Sequence, residues 1–269
     1  MQRYKTLILL YFCPVTLLKS SQRLCLIQMK FKDQIPNFIT LLNLLCGAIA
    51  IILAFSGGLV MAGVFIFLAA IMDFSDGMAA RLLHAKSAIG GQLDSLADVI
   101  SFGMAPAAIM YQMIMINQGE QVVKIGPVAI FPFIAMLLVM GGAYRLAKFN
   151  TDPGQEDEFK GLPIPASGIF VASLPLIHHH PGKFPFIAQF SGNNLFLAVV
   201  VIFLSWIMIS RIPMLSFKFK SLKWKGNEYR FILMAIAPFL VVFFGFSAVP
   251  LLILLYILFS IVSLSLKSR

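Results

Sequence analysis

Asp73 to Asp98 reads DFSDGMAARLLHAKSAIGGQLDSLAD and sets four carboxylates, Asp73, Asp76, Asp94 and Asp98, among some of the most apolar sequence in the chain. An acidic side chain at the centre of a bilayer costs about 2.5–3.5 kcal/mol on insertion scales, so a group of them faces the protein interior or a wet cavity and binds something cationic. At roughly 100° per residue on a helix, Asp73, Asp76 and Ala80 share one face, with Gly77 and Arg81 adjoining it. Asp94 and Asp98 are four residues apart and share a face of the next helix. The intervening LLHAKSAIGG is short and ends in Gly90 and Gly91, so it joins antiparallel neighbours on one side of a membrane and lets all the carboxylates converge.

Oxygen-rich acidic groups converging on one point fit a hard divalent cation, Mg²⁺ or Mn²⁺, better than zinc, which prefers His and Cys. Magnesium sites of this kind usually also carry substrate phosphates. Gly77 and Ala80 are small enough for a bulky ligand to approach the helix backbone, and Arg81 offers a fixed cation to a phosphate oxygen. The expectation is a metal-bound diphosphate site at headgroup depth.

The rest of the chain agrees with a membrane setting. Of its 269 residues 59% are hydrophobic and only 12% charged, with mean hydropathy +0.91, whereas soluble domains are charged at about a quarter of their positions. The fold class expected is all-α, one polytopic membrane helix bundle, with no polar stretch long enough for a second domain. Cys13, Cys25 and Cys46 are an odd number without metal-ligand spacing, so neither a disulfide framework nor a redox role is read from them.

The spacing of the opening stretch is Asp73, two residues, Asp76-Gly77, two residues, Ala80-Arg81, eight residues, Gly90, three residues, Asp94, three residues, Asp98. At every fixed position it resembles the signature of the CDP-alcohol phosphatidyltransferases, membrane enzymes that move a phosphatidyl group from a CDP-linked lipid to an alcohol. The resemblance implies that Asp73, Asp76 and Asp94 hold the metal, that Asp98 is the general base and a neighbour of the metal, and that Gly77, Ala80, Arg81 and Gly90 receive the nucleotide and its phosphates. It also implies a homodimer and CDP-diacylglycerol as donor. IPNFITLLNLLCG, DSLADVISFGMAPA, RLAKFN, GLPIPA and SRIP, which together cover most of the chain from Pro36 to about Lys220, resemble the phosphatidylserine synthase branch, which implies L-serine as acceptor. Glycerol 3-phosphate or inositol phosphate is the alternative acceptor, one that demands a denser basic pocket than Arg145, Lys148 and Arg211 supply. From another class, a divalent-cation channel or transporter accounts for the carboxylates but leaves Gly77, Ala80, Arg81 and Gly90 without a task.

In chain order, residues 1–28 form an extension of doubtful status ahead of a membrane domain spanning 29–269. Residues 7–18 imitate a signal peptide but lack a small-residue cleavage site, and a start at Met29 is preferred to an interfacial helix. About eight transmembrane helices are expected. The first covers residues 36–55, opened by Pro36-Asn37 and closed by Ser56-Gly57-Gly58. Asn37, Thr40 and Asn43 make one polar stripe on it, read either as helix-packing hydrogen bonds or as a wall beside the metal. Spans at 59–84, 92–116 and 127–148 follow, the last ending in Arg145 and Lys148, cations that favour a helix C-terminus or hold an acceptor carboxylate. Pro163 and Pro165 introduce a short fifth span as a backbone break lining the cavity. His178, His179 and His180 are placed in a loop on the side opposite the carboxylates, which argues against a metal role. A sixth span covers 194–212 with Arg211 at its end, and a hairpin at 231–246 and 248–265 closes the chain.

Lys218, Lys220, Lys223, Lys225 and Arg230 with Trp224 and Tyr229 read as an inside loop over anionic lipid, with no nucleic-acid role. Eight spans leave Lys124 and Lys183 on one side and nearly all other cations on the opposite one. The positive-inside rule then puts both termini and the carboxylate site at the cytoplasmic face of the cell (inner) membrane.

Overall fold

The computed structural model describes residues 20–85, 89–118, 124–125, 128–151, 160–180, 185–215 and 227–267. The signal-like run at 7–18, the acidic loop after Thr151, Lys183 and most of the basic loop around Trp224 lie outside them.

The architecture is helical, as the apolar composition requires: a bilayer interior offers no water to backbone groups, and a helix satisfies them internally. Helix α1 (Ser20–Phe55) turns at Ser56-Gly57-Gly58 into α2 (Leu59–Leu82). Gly57 takes φ 86°, and Gly58 N–H closes the α1 end by donating to Leu53 O at 2.8 Å. At the far end of α2, Ala85 N–H reaches back to Ala80 O at 3.0 Å with His84 left-handed at φ 50°, a six-to-one closure that stops the helix beyond Arg81.

The next helix has three parts: α3 (Gly90–Asp98), a π-helical stretch Val99–Met104, and α4 (Ala105–Gln118). Ala105 N–H donates to Ile100 O, five residues back. Pro106 follows, and its ring and missing N–H conflict with a regular turn onto Phe102, so the widened turn accommodates it. A two-residue antiparallel ribbon, Lys124–Ile125 with Val128–Ala129, leads through a 3₁₀ turn at Phe131–Ala135 into α5 (Met136–Thr151). Then come α6 (Ile164–His179), α7 (Pro185–Ser191), α8 (Asn194–Ile209), α9 (Glu228–Phe244) and α10 (Ala248–Lys267), the last two joined by a 3₁₀ turn at Gly245–Ser247.

Helix α6 is the centre of the bundle, with an unbroken buried run from Phe170 to Ile177, because it is apolar on all sides. Helix α2 approaches it at Gly63, where a Cβ would stand 2.5 Å from Ala172 O. Five helical stretches among the described residues are long and apolar enough to cross a membrane: Gln34–Phe55, Leu59–Leu82, Gly90–Asn117, Phe131–Thr151 and Glu228–Ser263. Helices α6 and α8 are apolar but shorter, 16 residues each. Large apolar side chains such as Phe38, Ile52, Phe74 and Val242 point outward from these helices, as a lipid-facing surface requires.

Several expectations are corrected. Pro36 does not open the first helix but lies inside α1, which runs back to Ser20. The span expected at 92–116 is not one regular helix, because the π stretch interrupts it just after Asp98. Pro165 sits in the first turn of α6, where an amide N–H has no helical partner anyway, so it breaks nothing; the proline inside that helix is Pro175. His178 and His179 belong to the last turn of α6 rather than to a loop, and His180 caps it.

Candidate active site

The last turns of α2 and the first turns of α3 bring the carboxylates together: α2 closes at His84, and Gly90 and Gly91 already lie in the first turn of α3. One oxygen each from Asp73, Asp76 and Asp94 lie within 4.8 Å of one another. Oxygens bound to one Mg²⁺ or Ca²⁺ at roughly 2.0–2.6 Å are at most about 5 Å apart, so the three fit a single hard divalent cation. No ion pair with Lys or Arg neutralises them among the described residues, which leaves the concentrated charge for such an ion. Asp98 stands outside this group, and its Oδ1 is buried without a hydrogen-bond partner.

Two cavities meet at the cluster. One of about 330 Å³ is lined by Pro36, Asn37 and Thr40 of α1, Asp76, Gly77 and Ala80 of α2, and Gly90, Gly91 and Asp94 of α3. A Cβ on Gly77 or on Gly91 would meet nothing within 4 Å, so these glycines border open space. The second cavity, about 350 Å³, is lined by Asp94, Ser95 and Asp98 of α3, Arg145, Leu146, Phe149 and Asn150 of α5, and Pro163 and Pro165 at the start of α6. Asp94 borders both.

The polar stripe of α1 enters this arrangement in three ways. Asn37 lines the first cavity, Thr40 Oγ1 donates to Asp76 Oδ2 at 2.7 Å, and Asn43 is wholly buried. Arg81 is exposed, and its Nε donates to Gly77 O at 2.9 Å, which holds the side chain along the helix end. Arg145 borders the second cavity with Asp98, and its Nε is buried without a partner. Lys148 instead lines a narrow cleft with Tyr144, Arg145 and Lys160. Arg211 is exposed and borders neither of the two large cavities. His178 and His179 line a third cavity with Gly57, Gly58 and Asn117, at the end of the bundle away from the carboxylates.

Sequence reading missed the contact that joins α5 to α3, Asn150 Nδ2 donating to Ser95 Oγ at 2.9 Å. Helical spacing gives no signal for it, since Asn150 lies five residues and about 140° from Arg145, and the expected helix end at residue 148 falls short of Asn150, which α5 includes. The segment after Lys160 is held by a bridge to Pro213 and by Gly161 N–H donating to Ile212 O at 2.8 Å. Gly161 takes φ 76° there and passes so close to Met208 O that a Cβ would collide with it. That pairing carries Pro163 and Pro165 to the cavity wall.

The family model described as CDP-alcohol phosphatidyltransferase matches residues 33–209. A CDP-diacylglycerol–serine O-phosphatidyltransferase of Bacillus subtilis is 34% identical over 190 residues, 69% of this chain and 92% of that protein. One from Helicobacter pylori is 34% identical over 229 residues, 84% of this chain and 89% of that protein. An archaetidylserine synthase of Methanothermobacter thermautotrophicus is 31% identical over 183 residues, 66% of this chain and 70% of that protein.

Proposed function

The chain belongs to the CDP-alcohol phosphatidyltransferase family, and we propose that it transfers the phosphatidyl group of CDP-diacylglycerol to L-serine, releasing CMP and making phosphatidylserine. The observation that carries this reading is the position of Asp94 on the wall between two cavities, one glycine-lined and one holding Asp98 and Arg145. A transfer between two substrates needs both to meet at one charged centre. Relatives named for serine transfer cover most of the chain and supply the identity of the acceptor.

A divalent cation, Mg²⁺ or Mn²⁺, held by Asp73, Asp76 and Asp94 would neutralise the diphosphate and stabilise the leaving CMP. The open space at Gly77, Ala80 and Gly90 admits the nucleotide and its phosphates against the helix backbones, with Arg81 at the rim as a cation for a phosphate oxygen. Serine occupies the second cavity, where Arg145 holds its carboxylate; Lys148 and Arg211 act only at its approach. Asp98 takes the proton from the serine hydroxyl while that oxygen bonds to the lipid-side phosphorus and the bond from this phosphorus to the CMP oxygen breaks. Positioning and charge account for most of the acceleration in such reactions.

Counting α6 and α8 as spans and dividing the last apolar stretch at Gly245 makes eight crossings of the cell membrane. Both termini and the site then face the cytoplasm, where soluble serine arrives while the lipid enters from the leaflet. The chain acts as a homodimer. The test is CMP release from CDP-diacylglycerol by the purified protein with Mn²⁺ or Mg²⁺ and serine, glycerol 3-phosphate, inositol phosphate or no acceptor. Serine-dependent release is expected, and release with another acceptor alone would overturn the substrate assignment.

A further inference from the structure

Asn43 is a polar residue that the carboxylate cluster leaves unexplained. It is 0% exposed, and neither its side-chain nitrogen nor its side-chain oxygen has a hydrogen-bond partner. A buried polar group without a partner costs about 1–3 kcal/mol, and an apolar residue of the same shape would remove that cost. The amide therefore persists here against the interest of folding. It faces the Asp98 carboxylate closely enough for its amide to interact with it, and Asp98 Oδ1 is also buried and without a hydrogen bond of regular geometry.

The backbone holds the two residues in place. Ser101, in the π-helical stretch that follows Asp98, donates its hydroxyl to Asn43 O at 2.9 Å. One turn further along α1, a Cβ on Gly47 would collide with Ser101 Oγ and stand 2.6 Å from Ser101 Cα. The backbones of α1 and the π stretch are thus in contact between Asn43 and Gly47, and neither residue can move away without breaking that contact. π-helical turns occur preferentially at functional sites, and this one begins at Val99, directly after Asp98.

We propose that Asn43 is a positioning residue for Asp98: its side-chain N–H donates to the carboxylate in the loaded site and fixes which oxygen faces the acceptor hydroxyl. This rests on the reading of Asp98 as the base in phosphatidyl transfer. A neutral amide is the right chemistry for the task. A carboxylate would add charge to a site already rich in it, and a Lys or Arg would neutralise the acidic cluster that a divalent cation needs.

The experiment compares wild type, Asn43→Leu and Asn43→Ala in serine-dependent CMP release, with thermal midpoints measured on the same preparations. Leucine nearly matches the shape of asparagine and brings no polar atom. The expected result is an Asn43→Leu protein at least as heat-stable as wild type whose kcat is lower by roughly 10–100-fold, with KM for serine and for CDP-diacylglycerol within about twofold. Should leucine prevent folding, the smaller alanine carries the same kinetic expectation. Wild-type kcat in a folded variant overturns the proposal, and so does an unchanged kcat with a raised serine KM, which would make Asn43 a substrate contact. No serine-dependent release by wild type would remove the underlying reading, and the proposal with it.

Discussion

Thr40 Oγ1 donates to Asp76 Oδ2 at 2.7 Å while Pro36 O, one turn back, lies 3.0 Å from the same hydroxyl. One proton has two acceptors within reach, and the bond to Asp76 crosses from α1 to α2 between two buried side chains. A carboxylate held in this way keeps one oxygen turned toward the cluster. Thr40→Val removes the donor at nearly constant shape, so the Mn²⁺ concentration for half-maximal CMP release should rise about 10–100-fold, as for other residues that orient metal ligands. Thr40→Ser should stay near wild type, and an equal midpoint in the valine variant would remove Thr40 from the site.

Asp98 is not one of the three carboxylates whose oxygens lie within 4.8 Å of one another, although its charge interacts with all of them, and the roles should separate accordingly. Asp98→Asn is expected to lower kcat by about 10²–10⁴, the range for a lost general base, with Mn²⁺ affinity within a few-fold of wild type. Asp73→Asn and Asp94→Asn should instead weaken Mn²⁺ binding itself. Direct Mn²⁺ binding measured by electron paramagnetic resonance, beside CMP release, distinguishes the two patterns.

Two glycines predict opposite failures. A Cβ at Gly47 would stand 2.6 Å from the Ser101 backbone, which cannot yield, so Gly47→Ala should destabilise by about 1–3 kcal/mol and lower the thermal midpoint. A Cβ at Gly77 meets nothing within 4 Å and points into the first cavity's wall. Gly77→Ala should therefore fold normally and raise the KM for CDP-diacylglycerol. If both variants lost only stability, the first cavity would not be the nucleotide site.

Arg145 shares the second cavity with Asp98 and has a buried, unpartnered Nε. Its planar fork matches a carboxylate in a way that an ammonium does not. Arg145→Lys should raise the serine KM about tenfold or more while leaving that for CDP-diacylglycerol unchanged, read from initial rates with each substrate varied in turn. Lys148→Ala, at the neighbouring cleft, should change either constant by less.

Much of this site was legible before any fold was known. Carboxylates in apolar sequence have few stable placements, so Asp73, Asp76, Asp94 and Asp98 announced a shared polar centre, of which the first three form the tight group, and helical periodicity placed Asn37, Thr40 and Asn43 on one stripe. What escaped were contacts made across helices: Thr40 to Asp76, Asn150 to Ser95, and Ser101 to the Asn43 carbonyl. Their partners are 36, 55 and 58 residues apart in the chain, and no local pattern links them. The π-helical turn after Asp98 was missed for a related reason. Pro106 marks a disturbed turn in any helix, but the neighbours decide whether the disturbance becomes a kink, a break or a widened turn.

The sequence by itself determined that the chain is a helical membrane protein and which carboxylates gather at one end of two adjoining helices, because apolar length and the cost of buried charge act locally. Only the tertiary structure decided that Asp94 borders two cavities, that Asp98 falls outside the tight group of three and faces the buried Asn43, and that Arg145 rather than Arg211 reaches the second cavity. Those outcomes depend on how closely helices approach, and that is set by glycines such as Gly47 and Gly63 meeting residues far away in the chain.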